Sequence, residues 1–215
     1  WIGLGADGLS SSSYGPEEAF RVIVDHPYLA VLLAIATAFT VFIIAYSYSK
    51  MIEYFPTGGG GYVVATQTLG KKAGVISGSA LIVDYILTIT VSIAACGDAI
   101  FSFLPMEYHQ YKLMFQVFLV LMLIVMNIRG VKESIYILAP VFVVFIITHI
   151  ILIGYGFIGH AGEIGPVIQE IKTDYNNGLA SLGTIGMMAL FFKAYSMGGG
   201  TYTGIEAVSN GLQIM

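Results

Sequence analysis

The 215-residue chain is 57% hydrophobic and only 10% charged, with a mean hydropathy of +0.83, which excludes an ordinary water-soluble domain, since such domains are about 45–50% apolar and clothe themselves in charge. Its formal net charge of −4 is spread out without a basic run, so nothing tracks a phosphate backbone and nucleic-acid binding is set aside. A single cysteine, Cys96, excludes an internal disulfide.

Lipid is therefore the expected outer solvent, and the expected fold is all-α, a polytopic membrane helix bundle. Residues 1–24 are apolar but pass through GLGADGLSSSSYGP, which predicts a helix broken at membrane depth. Lipid cannot satisfy free N–H and C=O groups, so irregular backbone there must face protein or a wet cavity, and a break points to a site. Gly3, Gly5 and Gly8 spell GxGxxG, but they lead into serines rather than into a helix packed on a sheet, and the phosphate-cradling reading is rejected.

Residues 28–49, 73–104, 113–128 and 135–158 form four continuous spans for a hydrocarbon core that takes about 20 residues, the third borrowing flanking residues to reach both interfaces. Between the first two, residues 53–72, EYFPTGGGGYVVATQTLGKK, are too polar and glycine-rich to cross and predict a cytoplasmic turn with a short helix. Its TGGGGY, 57–62, resembles a channel filter only faintly, for no re-entrant pore helix accompanies it. Gly74 and Gly78 form GxxxG, the mark of a close helix contact. Residues 159–178 are acidic and polar and read as an outer loop. Residues 179–215 run through YSMGGGTYTGIEAVSNG and predict a second broken helix.

With alternating spans, Lys50, Lys71, Lys72, Arg129 and Lys132 gather on one side and Arg21, Lys112 and Lys172 on the other, which makes the first side cytoplasmic. The chain opens at Trp1 and stops at Met215 in an apolar stretch, as a segment of a longer protein does.

A carboxylate at mid-membrane costs about 2.5–3.5 kcal/mol on insertion scales, so each needs a partner or a role. Asp7 sits in the first break, Asp84 and Asp98 in the 73–104 span and Glu206 after the second break. Asp84, Thr88 and Ser92, at i, i+4 and i+8, are read as an oxygen ladder on one helix face, flanked by Tyr85 and Thr90. The broken segments add serines 10–13, Tyr14, Thr201, Tyr202 and Thr203. Such donors suit an alkali cation exchanging its water shell for carbonyls, hydroxyls and carboxylates. The plainer reading of intramembrane serines and threonines is glue between helices. Acids around a common pocket cannot all stay ionised, and a cluster of them can trade a cation for a proton. Asp98 is read as equally able to be structural, Lys193 as an ion-pair or gating residue, and His149 as a packing residue rather than a proton relay. With no HExxH, no GxSxG elbow and no clustered Cys and His, an enzyme is not expected.

The motifs DGLSSSSYG, PTGGGGYVVATQTLG, LIVDYILTITVS, FFKAYSMGGG and TGIEAVSN resemble those of the amino acid, polyamine and organocation (APC) superfamily, and within it the KUP-like potassium importers. The resemblance covers the whole chain. It implies a LeuT-like inverted repeat with breaks in helices one and six, of which residues 1–215 would be an incomplete transmembrane domain: the first five-helix repeat plus the first helix of the second. It also implies proton-coupled potassium uptake by alternating access, in a multi-pass protein of the bacterial cytoplasmic membrane. Carried over by position, the cation-binding residues are Asp7, Tyr14, Asp84, Tyr85, Thr88, Ser92, Thr203 and Glu206, with Glu206 or Asp84 carrying the proton. This chain has Gly8 where such relatives have Ala, and SSSSYGPEE where they have SSVAYGTEQ, but neither departure removes an oxygen ligand. Potassium and protons would be cargo, with no cofactor. The expected partners are the bilayer, a small cation or small-molecule substrate, and a homodimer mate meeting parts outside this chain. The rival reading is an amino-acid or polyamine permease on the same fold, and the remote one a cation channel.

Overall fold

The computed structural model describes residues 2–56, 59–129 and 131–211. Trp1, Met215 and the Thr57 and Gly58 of TGGGGY lie outside the described residues, as do the side chains of Gly130's neighbours Arg129 and Lys132. The regular structure among the described residues is all helical: α1 (Ile2–Val22), α2 (Leu29–Tyr54), α3 (Gly60–Leu69), α4 (Lys71–Phe101), α5 (Lys112–Arg129), α6 (Val131–Gly159), α7 (Ile164–Met197) and α8 (Ile205–Asn210). Three 3-10 turns, Met106–Tyr111, Ala161–Glu163 and Gly198–Tyr202, join them.

The four continuous spans are α2, α4, α5 and α6, each long and apolar enough to cross a bilayer. The short one is completed by the turn before it, so that Met106–Ile128 gives 23 residues. Phe39, Phe42, Ile86, Val144 and Ile151 are exposed along these helices; on a water-facing surface such contiguous apolar area would be a liability, whereas lipid accepts it.

The first segment is not broken. α1 runs helical from Ile2 to Val22 with Pro16 inside it. The serines that suggested a break return their hydroxyls to their own helix: Ser10 Oγ donates to the Asp7 carbonyl at 2.8 Å, Ser12 to Leu9 at 2.6 Å and Ser13 to Ser10 at 2.6 Å. A hydroxyl bonded to a carbonyl three or four residues back is satisfied without water, and the serine run stays helical in an apolar setting.

Residues 159–178 are also not a loop. After the 3-10 turn Ala161–Glu163 the chain is helical, and the interruption comes later, at Gly183, whose φ of 67° and ψ of 169° divide α7 into two helices. The second break is present where GGGTYTG placed it. α7 ends at Met197, the turn Gly198–Tyr202 follows, Thr203 is extended (φ −73°, ψ 157°) and Gly204 is left-handed (φ 86°) before α8 begins.

Ala19, Ile23, Tyr28, Leu29, Leu33, Met187 and Ala194 form the buried core where α1, the start of α2 and α7 beyond Gly183 meet. Lipid gives no hydrophobic drive between helices, so close packing of small residues decides. A Cβ on Gly198 would stand 2.8 Å from the Ala19 Cβ, and one on Gly15 2.5 Å from the Thr201 nitrogen. Of the two glycines of GxxxG, Gly74 makes the close contact: a Cβ there would lie 2.9 Å from the Thr66 Cβ, which seats α3 on α4, whereas one on Gly78 would meet the Tyr62 Cβ at an ordinary 3.9 Å.

Gly204 combines a positive φ with a neighbour at contact, its added Cβ falling 2.5 Å from the Gly8 nitrogen and 2.9 Å from the Asp7 Cγ. Gly204→Ala is expected to destabilise the full-length protein by about 2–4 kcal/mol, from left-handed strain and overpacking together. Gly8→Ala, whose Cβ would meet its nearest neighbours at 3.9 Å within a helix, should stay within about 1 kcal/mol. Thermal unfolding in detergent measures both, and equal melting temperatures would contradict the packing described.

Candidate functional site

α1 presents Asp7, Ser11 and Tyr14 at helical spacing toward the second break. Ser11 is fully buried and Tyr14 nearly so. The Tyr14 hydroxyl donates to Ser11 Oγ at 3.3 Å, and Ser11 Oγ is hydrogen-bonded to Thr203 Oγ1 at 3.0 Å. Thr203 Oγ1 in turn donates to the Gly200 carbonyl at 2.9 Å. A Cβ on Gly200 would come 2.9 Å from the Tyr14 ring, so the glycine run lets the irregular backbone lie directly on α1. The free groups that lipid could not satisfy are turned toward protein.

Around this seam stand three carboxylates. Asp7 is on α1, Asp84 is midway along α4, and Glu206 is in the first turn of α8, where its Oε1 accepts from the Gly204 nitrogen at 3.0 Å. The Asp7 carboxyl lies beside Gly204, two residues before Glu206, and Asp84 and Glu206 line one cavity. Among the described residues none of the three is in a salt bridge; the ion pairs are Arg21 with Glu17 and Glu18, Lys50 with Glu53 and Lys112 with Asp98. The field at the seam is negative. No group of His, Cys, Asp and Glu among the described residues converges tightly enough to chelate a metal ion, which leaves mixed oxygen donors as what the site offers.

Two cavities meet at Asp84. The first, of about 420 Å³, runs along α1 and α4 past Tyr14, Thr88, Val91, Ala95, Asp98 and Thr203, with Glu17, Glu18 and Arg21 at its end. The second, of about 280 Å³, lies on the other side of Asp84 and is lined by Tyr48, Tyr62, Ser77, Glu206 and Asn210. Asp84 lines both. Asp7 lines neither; its carboxyl packs beside Gly204 and borders an apolar cavity with Leu123, Phe142 and Phe145.

The remaining candidates divide. Thr88 faces the first cavity, while Tyr85 turns to the second break, its hydroxyl accepting from Asn210 Nδ2 at 2.8 Å. Ser92 lines neither cavity, because at about 100° per residue i+8 lies about 80° off the starting face whereas i+7 lies about 20° off. Val91 and Ala95 take the lining positions instead. Asp98 is held by Lys112 at the start of α5. Lys193 is exposed on α7. His149 donates from Nδ1 to the Phe145 carbonyl at 2.8 Å and stacks on the Phe145 ring, a satisfied packing residue.

Sequence reading passed over Tyr48 and Asn210. Tyr48 sits at the end of an apolar span, where an aromatic is unremarkable, and Asn210 was visible only as the last letter of TGIEAVSN.

Comparison with known proteins gives the family. The family model described as amino acid permease matches residues 10–212. The potassium transporter KimA of Bacillus subtilis strain 168 is 38% identical over an alignment of 217 positions that covers 97% of this chain and 34% of KimA. The chain thus spans about a third of the length of that curated relative. The chain belongs to the amino acid permease family of the APC superfamily and is a multi-pass membrane protein.

Ser11 bridges α1 to the break, so Ser11→Ala is expected to lower stability by about 0.5–1.5 kcal/mol, the net worth of one hydrogen bond. Ser13→Ala, exposed and bonded only to its own helix, should change it by less than about 0.5 kcal/mol. Melting curves of the full-length variants in detergent separate the two; a Ser11 variant as stable as the Ser13 variant would contradict the bridge.

Proposed function

We propose that this member of the amino acid permease family imports potassium together with protons across a bacterial cytoplasmic membrane by alternating access. The observation that carries the reading is the gathering of three carboxylates at the second break, outside any salt bridge among the described residues: the Asp7 carboxyl lies beside Gly204, two residues before Glu206, and Asp84 and Glu206 line one cavity. Tyr14, Thr88 and Thr203 line the first cavity beside Asp84. Such a site attracts a hard monovalent cation and supplies oxygens to replace its water. Likeness to a protein named a potassium transporter supports the same cargo.

In this scheme α1, α2, α4, α5 and α6 are the first repeat of a LeuT-like fold, and α7 beyond Gly183 with α8 is the broken first helix of the second. Asp84 is the carboxylate best placed to carry the proton, because it borders the cavities on both sides while Glu206 borders one. Protonating it releases the cation's electrostatic hold, and deprotonating it restores that hold.

The rival cargo, an amino acid, needs bare N–H groups at the break for its carboxylate. Here the Gly204 N–H already donates to Glu206, and three acids would repel that carboxylate, so a cation is favoured.

Potassium uptake by the full-length protein in potassium-depleted cells tests the reading. Asp84→Asn and Glu206→Gln should each lower uptake by at least about tenfold, equivalent to about 1.4 kcal/mol, at unchanged protein level in the membrane. If both retain wild-type, proton-dependent uptake, the site assignment is wrong; uptake of lysine or a polyamine without potassium dependence would sink the cargo.

A further inference from the structure

We propose that Asn210 is a positioning residue, a latch in the wall of the second cavity that ties the half-helix bearing Glu206 to α4 and to Gly59 and Gly60 at the start of α3. The inference rests on the transport reading for its purpose but not for its geometry.

α8 is six residues long, too short to hold its own place, and its position depends on what grips its ends. At its start Gly204 lies on the Asp7–Gly8 backbone of α1. At its end Asn210 makes two hydrogen bonds to other elements. Its Nδ2 donates to the Tyr85 hydroxyl at 2.8 Å, and its carbonyl accepts from the Gly59 nitrogen at 3.4 Å. Its side chain presses on Gly60 so closely that a Cβ there would sit 2.9 Å from Asn210 Cγ and overlap Oδ1. Gly59 and Gly60 carry φ values of 87° and 54°, a succession that L side chains rarely adopt. Gly59 and Gly60 are therefore read as a seat shaped for Asn210.

The consequence follows from which elements are joined. Tyr85 is next to Asp84, which both cavities share, and Glu206 lies between the two grips on α8. α3 rests on α4 through Gly74 and Thr66. While the latch holds, α3, α4 and α8 are one body, and Asn210 forms part of the wall of the second cavity together with Ser77 and Glu206. Asn210 Oδ1 is buried with no hydrogen-bond partner among the described residues, so the amide meets only part of its bonding capacity in this arrangement. A contact held by one side-chain bond, with an acceptor left unpaired, is poised to be exchanged for water when the cavity opens.

The test reads access rather than cargo. In the full-length protein with its native cysteines replaced, single reporter cysteines are placed by Ser77→Cys in the second cavity and Ala95→Cys in the first. Vesicles then receive a membrane-impermeant thiol reagent on the side of Lys71 and Lys72 for the first reporter, and on the opposite side for the second. Asn210→Ala and Tyr85→Phe should each raise the Ser77→Cys labelling rate by about fivefold, the population shift that loss of one hydrogen bond brings, and lower that of Ala95→Cys. The double variant should label no faster than the faster single one, since both changes remove one contact. Tyr85→Phe keeps the ring and its packing, so it reports even where Asn210→Ala does not fold. Labelling within twofold of the parent at both reporters, or rates that multiply in the double variant, would overturn the latch. A transporter of another cargo would still show the labelling change, so failure of the potassium reading is distinguishable from failure of this one.

Discussion

The close approach of Gly204 to the backbone of α1 at Asp7 and Gly8 is the contact on which the rest of the structure depends. A break in a membrane helix leaves peptide groups that lipid cannot satisfy, so the segment between α7 and α8 exists only because α1 offers it a surface. Glycines at 15, 198, 200 and 204 let two backbones touch, and Ser11 with Tyr14 supplies the hydrogen bonds that side chains would otherwise block. The same contact brings the Asp7 carboxyl and the start of the Glu206 helix together. Packing and site are one arrangement here.

Charge is what that arrangement concentrates. Three acids on three different helices share a region with no Lys or Arg paired to any of them among the described residues, whereas Asp98, the other acid of α4, has Lys112. The contrast separates a balanced charge from an unbalanced one. On the proposed reading a bound cation and a coupling proton offset two of the three negative charges, and Asp84 between two cavities is where the exchange meets both sides of the membrane.

The sequence made the spans legible because apolar length is a one-dimensional signal: α2, α4, α5 and α6 lie where long, predominantly apolar runs placed them. GGGTYTG marked the second break correctly, since four glycines in seven residues with polar neighbours have few helical options. The first break was misread because a run of serines looks helix-breaking until its hydroxyls are counted as internal acceptors' partners, as those of Ser10, Ser12 and Ser13 are. Polar residues 159–178 similarly concealed a helix, and the true interruption rested on one glycine, Gly183, that composition does not distinguish from its neighbours. At the site, Asp84, Thr88 and Glu206 were visible as costly or oxygen-bearing residues in apolar company. Ser92 was misplaced by taking i+8 for one face, and Asn210 and Tyr48 act through contacts more than a hundred residues apart in the chain, which spacing alone does not show.

The most direct measurement of the central claim is potassium flux by the full-length protein in potassium-loaded liposomes with membrane voltage clamped at zero and no potassium gradient. Imposing an inward proton gradient should then drive net potassium inward against its rising concentration, because the acid cluster moves the cation and the proton together. Potassium that stays at equilibrium under that gradient, while still flowing down a gradient of its own, would contradict the account and mark the protein as an uncoupled conduit.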